Sequence, residues 1–88
     1  MKISDKFILK EVGHEFMLIP VNNDFISVKN LITLNETSLA IYSYLKDGLT
    51  TQEIVDKMST EYRVNVDELK SDVEEVIAKF RSLGVLDA

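Results

Sequence analysis

The chain has 88 residues, 45% of them hydrophobic, with 10 Lys and Arg against 15 Asp and Glu, one histidine, and neither cysteine nor tryptophan. A chain of this length buries roughly 60 to 65% of the surface that its unfolded form exposes, which suffices for one core and excludes a catalytic cleft between two domains. Without cysteine there are no disulfides, thiolate zinc sites, iron–sulfur clusters or cysteine nucleophiles, and a cytoplasmic location is the expectation.

Met1-Lys2-Ile3-Ser4-Asp5-Lys6 leads into an alternating segment rather than the apolar stretch of a signal peptide. The longest apolar run, residues 16–21, is far short of the ~20 residues that span a bilayer, so no membrane association is expected. Residues 7–12 and 15–19 are β-prone runs separated by Gly13-His14, a pattern that predicts a hairpin because glycine accepts the positive φ of a two-residue turn. Asn22-Asn23-Asp24 predicts a second turn, and Lys29-Asn30 a third between the β-prone runs 25–28 and 31–34. The expected product is a small antiparallel meander whose last strand, Leu31, Ile32, Thr33 and Leu34, forms an edge with free backbone donors and acceptors.

Three helices are expected next. Asn35 is suited to cap the first, and Gly48 ends it. Thr50 and Glu53 form a capping box for the second, which sets Ile54, Met58 and Tyr62 on one face. Asn65 caps the third, where Val66, Leu69, Val73, Val76, Ile77, Phe80 and Leu83 form one apolar stripe about 120° wide and Gly84 closes the end. Strands within 7–34 and helices within 35–84 predict a single α+β domain over residues 1–88, since neither part alone can bury a core.

Charge divides the chain at the same place. Residues 1–34 are neutral in sum, whereas residues 35–88 carry six Lys or Arg against eleven Asp or Glu and hold the whole net charge of −5. The third helix has Asp67, Glu68, Asp72, Glu74 and Glu75 against Lys70, Lys79 and Arg81. Strands followed by three helices are compatible with a winged helix-turn-helix regulator, the alternative function, but a recognition helix with net charge −2 would be repelled by a duplex bearing one charge per ~1.7 Å.

No catalytic constellation is visible. His14 lies in the predicted turn, where a solvated side chain is expected, and a metal site needs several converging ligands. Glu74 and Glu75 are adjacent on a helix and diverge by about 100°, so they share neither a proton nor a cation. Ser38 begins a helix as the modified serine of acyl carrier proteins does, but it follows Thr37 rather than Asp, and the first third of the chain reads as strands. Gly13, Gly48 and Gly84 are isolated, so no phosphate loop is present. Neither enzymatic activity of the chain by itself nor a cofactor is expected.

Leu31-Ile32-Thr33-Leu34-Asn35-Glu36-Thr37 resembles the strand-to-helix junction of the PqqD-like family. Leu45-Lys46-Asp47-Gly48, Thr50-Thr51-Gln52-Glu53-Ile54-Val55, Asp72-Val73-Glu74 and Leu83-Gly84-Val85-Leu86 continue the resemblance in the family's order, so that it spans about residues 7–86. It implies a RiPP recognition element, a winged-helix-like domain of three N-terminal strands and three helices. Such a domain binds the leader of a ribosomally made precursor peptide and presents it to a separate modifying enzyme, often a radical SAM enzyme.

By that resemblance the leader adds as a strand beside Leu31, Ile32, Thr33 and Leu34 and lies against Val73, Val76, Ile77 and Phe80. Core packing is expected to claim at least half of those four helix residues. Asp72 and Lys79 flank the stripe on one side, Lys70 and Arg81 on the other, and one of these pairs is expected to set peptide polarity. Asn35 and Glu36 are expected to act as capping residues. The same edge strand is compatible with either a monomer or a strand-exchanged dimer.

Overall fold

The structure, a computed structural model, describes residues 2–21 and 31–87. In chain order these form β1 (Lys2–Ile3), β2 (Phe7–Val12), β3 (Glu15–Pro20), β4 (Ile32–Leu34), α1 (Glu36–Lys46), α2 (Thr51–Tyr62), α3 (Val66–Ser82) and β5 (Leu86–Asp87). The expected turn at Asn22-Asn23-Asp24, the run 25–28 and the turn at Lys29-Asn30 lie outside the described residues.

The hairpin forms where the Gly-X signal predicts it. Val12 pairs with Glu15, which leaves Gly13-His14 as a two-residue turn, and Gly13 takes φ 65°. A positive φ at the first central residue alone is the φ pattern of a type II′ turn, whose twist matches the flanking strands. β3 then pairs antiparallel with β4, in the sheet order β2-β3-β4. Leu9, Leu18 and Ile32 stand in register, as do Glu11, Phe16 and Leu34. Opposed residues share a face, so one sheet face carries Leu9, Phe16, Leu18, Ile32 and Leu34, while Met17 and Thr33 point the other way.

The three helices begin on the expected caps. Asn35 Oδ1 accepts from the Ser38 N–H at 2.8 Å, and Asn65 Oδ1 accepts from Asp67 and Glu68. The Thr50–Glu53 capping box is complete, with the Thr50 N–H donating to Glu53 at 2.9 Å and the Glu53 N–H donating to Thr50 Oγ1 at 3.2 Å. Hydrogen bonding of the Glu53 carboxylate by the Thr50 backbone N–H, and then by the Thr50 side chain, holds its pKa below the ordinary value.

Two helices end in Schellman motifs. The Leu49 N–H donates to the Tyr44 carbonyl and Gly48 to Leu45, and likewise Val85 donates to Phe80 and Gly84 to Arg81. α2 ends differently, on Arg63 in the left-handed conformation at φ 50°, ψ 44°. α1 and α2 are tied on their outer side, where the Tyr44 hydroxyl donates to Glu61 and Lys57 Nζ lies 5.6 Å from the Tyr44 ring centre. The bond to the Glu61 carboxylate pushes the Tyr44 pKa up to about 12.

The core lies between one sheet face and the inner stripes of the helices: Leu18, Leu34, Ile41, Tyr42, Leu45, Ile54, Val55, Met58, Leu69, Val73, Ile77, Phe80, Val85 and Leu86 are all buried. Each large side chain moved fully out of water contributes about 1.5–3 kcal/mol, so α3 is held chiefly by Leu69, Val73, Ile77 and Phe80. Phe80 meets Tyr42 edge to face with ring centres 6.3 Å apart.

The ends of the apolar stripes differ from the periodic expectation. Val66 and Leu83 are exposed, as is Tyr62 at the end of α2. Each stands at a helix terminus, where the stripe runs past the partner it packs on. The pair β1–β5 is also additional to the expected strands, with Lys2 opposite Asp87 and Ile3 opposite Leu86. Two residues on each strand are too few for any sequence periodicity to register.

Candidate functional site

β4 is an edge strand among the described residues: β3 pairs with one side of it and nothing described pairs with the other. Beside it opens a groove of about 560 Å³ lined by His14, Glu15, Phe16, Thr33, Leu34, Asn35, Glu36, Ser38, Leu39 and Lys79. Four elements therefore converge: the hairpin turn with the start of β3, the end of β4, the first turn of α1, and the C-terminal half of α3.

Local chemistry explains the assembly. The Gly13-His14 turn sets Phe16 opposite Glu11, and the β3–β4 register sets it opposite Leu34. Asn35 stops the strand and starts α1 in a single residue, because its extended backbone lets its side chain cap the helix. Glu36 is thereby set in the first turn of α1, where its charge complements the helix dipole. Phe16, Leu34 and Leu39 belong to the core cluster or pack against it, so the groove has an apolar base. Glu15, Glu36 and Lys79 are exposed beside it, and no ion pair joins Lys79 to either carboxylate among the described residues.

Of the residues singled out from sequence, the groove brings together Thr33, Leu34 and Lys79. Leu31 precedes β4, and Ile32 faces the core side of the sheet; both are half-buried and neither lines the groove. Val73, Ile77 and Phe80 are 0%, 4% and 2% exposed, which makes them core, while Val76 is half-buried and packs on the edge of the cluster. Asp72 is exposed and does not line the groove. Seven residues before Lys79, it lies almost on the same helix face and roughly 10 Å along the axis.

Glu15, Phe16 and Leu39 are groove residues that the sequence did not single out, while His14 and Ser38, expected to have no chemical role, line it as well. The usable signal was the β3–β4 register, since pairing Phe16 with Leu34 places the hairpin turn next to the end of β4. Asn35 and Glu36 combine capping with lining. Among the described residues no base is bonded to the Ser38 hydroxyl, and no group of three or more His, Cys, Asp or Glu is placed to hold a metal. The groove has an apolar base and charges of both signs at the rim.

No helix among the described residues is long and apolar enough to cross a membrane. No curated protein matches the chain. Among solved structures it is similar to TbiB1, recorded in complex with the TbiA(beta) leader peptide, at TM-score 0.82 and 24% identity over 100% of this chain and 96% of that one. That likeness shows the fold, an antiparallel three-stranded N-terminal sheet followed by three helices in a winged-helix-like arrangement. Residues 9–86 match the family described as Coenzyme PQQ synthesis protein D (PqqD), and with nearly the whole length covered, the chain belongs to the PqqD family.

Proposed function

We propose that the chain, acting as one domain over residues 1–88, binds the leader of a ribosomally made precursor peptide and presents it to a separate modifying enzyme, with a radical SAM enzyme as one candidate. The observation that carries the reading is the unpaired side of β4 beside a groove with an apolar base. An extended peptide adds to such an edge through main-chain hydrogen bonds, which hold any sequence, while the pockets along it select side chains. TbiB1 has this fold and is recorded with a leader peptide. The family membership supports the same role.

In this reading Ile32, Thr33 and Leu34 supply the strand edge, with Leu31 at its entrance. Val76 is the apolar contact on α3, Lys79 fixes the rim charge at the Leu34 end, and Asp72 meets the leader further along α3. Val73, Ile77 and Phe80 act indirectly by holding α3 at the distance that keeps the groove open. The eight charged side chains of α3 are all exposed and sum to −2, which favours a peptide ligand over a DNA duplex.

Titration of a precursor peptide encoded beside this chain tests the proposal. Saturable binding is expected, with Val76→Arg lowering affinity on the order of thirtyfold, or about 2 kcal/mol, while the fold survives. Absence of binding to every leader from the gene's own neighbourhood, or an affinity that Val76→Arg leaves unchanged, would overturn it.

A further inference from the structure

A second groove lies at the other end of α1. It has a volume of about 420 Å³ and is lined by residues of β1 and the stretch after it, by Phe7, and by the C-terminal half of α1 through Gly48. Ile3, Phe7 and Leu45 give it apolar walls, and each belongs to the core cluster or packs against it. Lys2 and Lys46 stand exposed on its rim with Asp5 as the one carboxylate, a local excess of positive charge on a chain of net charge −5.

Tyr42 gives this groove a polar interior. The residue is only 2% exposed, and its hydroxyl has no hydrogen-bond partner among the described residues. Tyr42 lines this groove. Burial raises its pKa, which keeps the hydroxyl a proton donor at neutral pH. A buried ring whose phenolic O–H has no partner among the described residues, in a groove with two lysines and apolar walls, suits a ligand bearing an apolar side chain next to a carboxylate. β1 is paired with β5 on one side only among the described residues, so an extended segment also meets backbone groups there.

We propose that this groove is a second docking site, which takes an extended acidic and aliphatic segment of a partner protein. The apolar side chain enters between Ile3, Phe7 and Leu45, and the carboxylate accepts from the Tyr42 hydroxyl and faces Lys2 and Lys46. A presenter must hold two things at once, the leader and the protein that acts on it. The inference rests on the proposed function only for the identity of that second protein; the site itself rests on these residues.

The test is a titration followed by amide NMR, with two capped hexapeptides as probes, one alternating Glu and Leu and the other alternating Lys and Leu. The acidic probe is expected to shift the amides of Ile3, Ser4, Phe7 and Leu45 while those of Thr33 and Leu34 stay in place. Lys46→Glu, at an exposed position, is expected to weaken the acidic probe about tenfold and to improve the basic one. Tyr42→Phe, which keeps the ring and its contact with Phe80, is expected to weaken the acidic probe about threefold to tenfold at an unchanged melting temperature. Equal response to both probes, response confined to β4, or no response at millimolar peptide would overturn the proposal. Leader binding at β4 is read from a separate set of amides, so either site can fail without the other.

Discussion

The two grooves are built on one helix and differ in what that helix lends them. α1 spans 11 residues, roughly 16 Å, and its first turn contributes Asn35, Glu36, Ser38 and Leu39 to the groove beside β4, while its second half contributes Tyr42, Leu45 and Lys46 to the groove beside β1. The first has two carboxylates and one lysine at its rim, the second two lysines and one carboxylate. Part of this difference follows from helix electrostatics, which favour an acid in the first turn and a base in the last. A helix set against two short sheets thus presents opposite charge at its two ends.

The most severe way to break the comparison is to remove the residue on which both grooves depend. Phe80 is buried on α3, next to the first groove's Lys79 in the sequence, and meets Tyr42, which lines the second. Phe80→Ala is expected to cost about 3–5 kcal/mol in urea unfolding and to abolish binding at both sites. At the low end of the typical total of about 5–15 kcal/mol, that loss leaves little of the folded state.

A crossed pair of variants sharpens the comparison. Val76→Arg is expected to weaken a leader peptide on the order of thirtyfold and leave the acidic hexapeptide unaffected, while Lys46→Glu does the reverse at about tenfold. Loss of both ligands in either variant, measured by calorimetric titration, would show the two grooves to be one coupled surface.

Two smaller changes act away from both grooves. Thr50→Ala removes half of the α2 capping box and is expected to cost about 1 kcal/mol in thermal unfolding with both affinities kept. Arg63→Gly relieves the left-handed C-cap of α2 and is expected to add a few tenths to about 1 kcal/mol.

The smallest effect is confined to alkaline pH. The folded-state pKa of Tyr44 is raised to about 12, so its stabilising contribution is fully present below the ordinary tyrosine value near 10 and is lost as pH rises from there through 12. Glu61→Gln should bring the Tyr44 midpoint, followed by near-ultraviolet absorbance, back down toward 10.

Much of this architecture was legible in the sequence because its signals are local. Gly13 announces the hairpin, Asn35, Thr50 and Asn65 announce three helix starts, and Gly48 and Gly84 announce two helix ends, each through a bond or a φ angle set within a few residues. The family resemblance carried by residues 31–37 and the motifs after them was equally a property of the chain read in order, and the match over residues 9–86 bears it out. The split between a neutral strand half and an acidic helical half was plain counting.

Tertiary structure decided what periodicity leaves open. An apolar stripe shows which face of α3 is apolar but not how far its partner extends along it, so Val66 and Leu83 at its two ends remain in water. Nor does it fix how deep each residue lies: Val73, Ile77 and Phe80 went inside and Val76 stayed at the margin of the core because the rotation of α3 over the sheet is fixed by packing between distant segments. The β1–β5 pair joins Lys2 and Ile3 to Leu86 and Asp87, at opposite ends of the sequence and without any local marker. Both grooves owe their walls to such long-range pairings, which is why residues as unremarked in the sequence as Glu15, Leu39 and Tyr42 line them. The sequence by itself determined the elements and the family; only their packing decided which side chains are left for a ligand to touch.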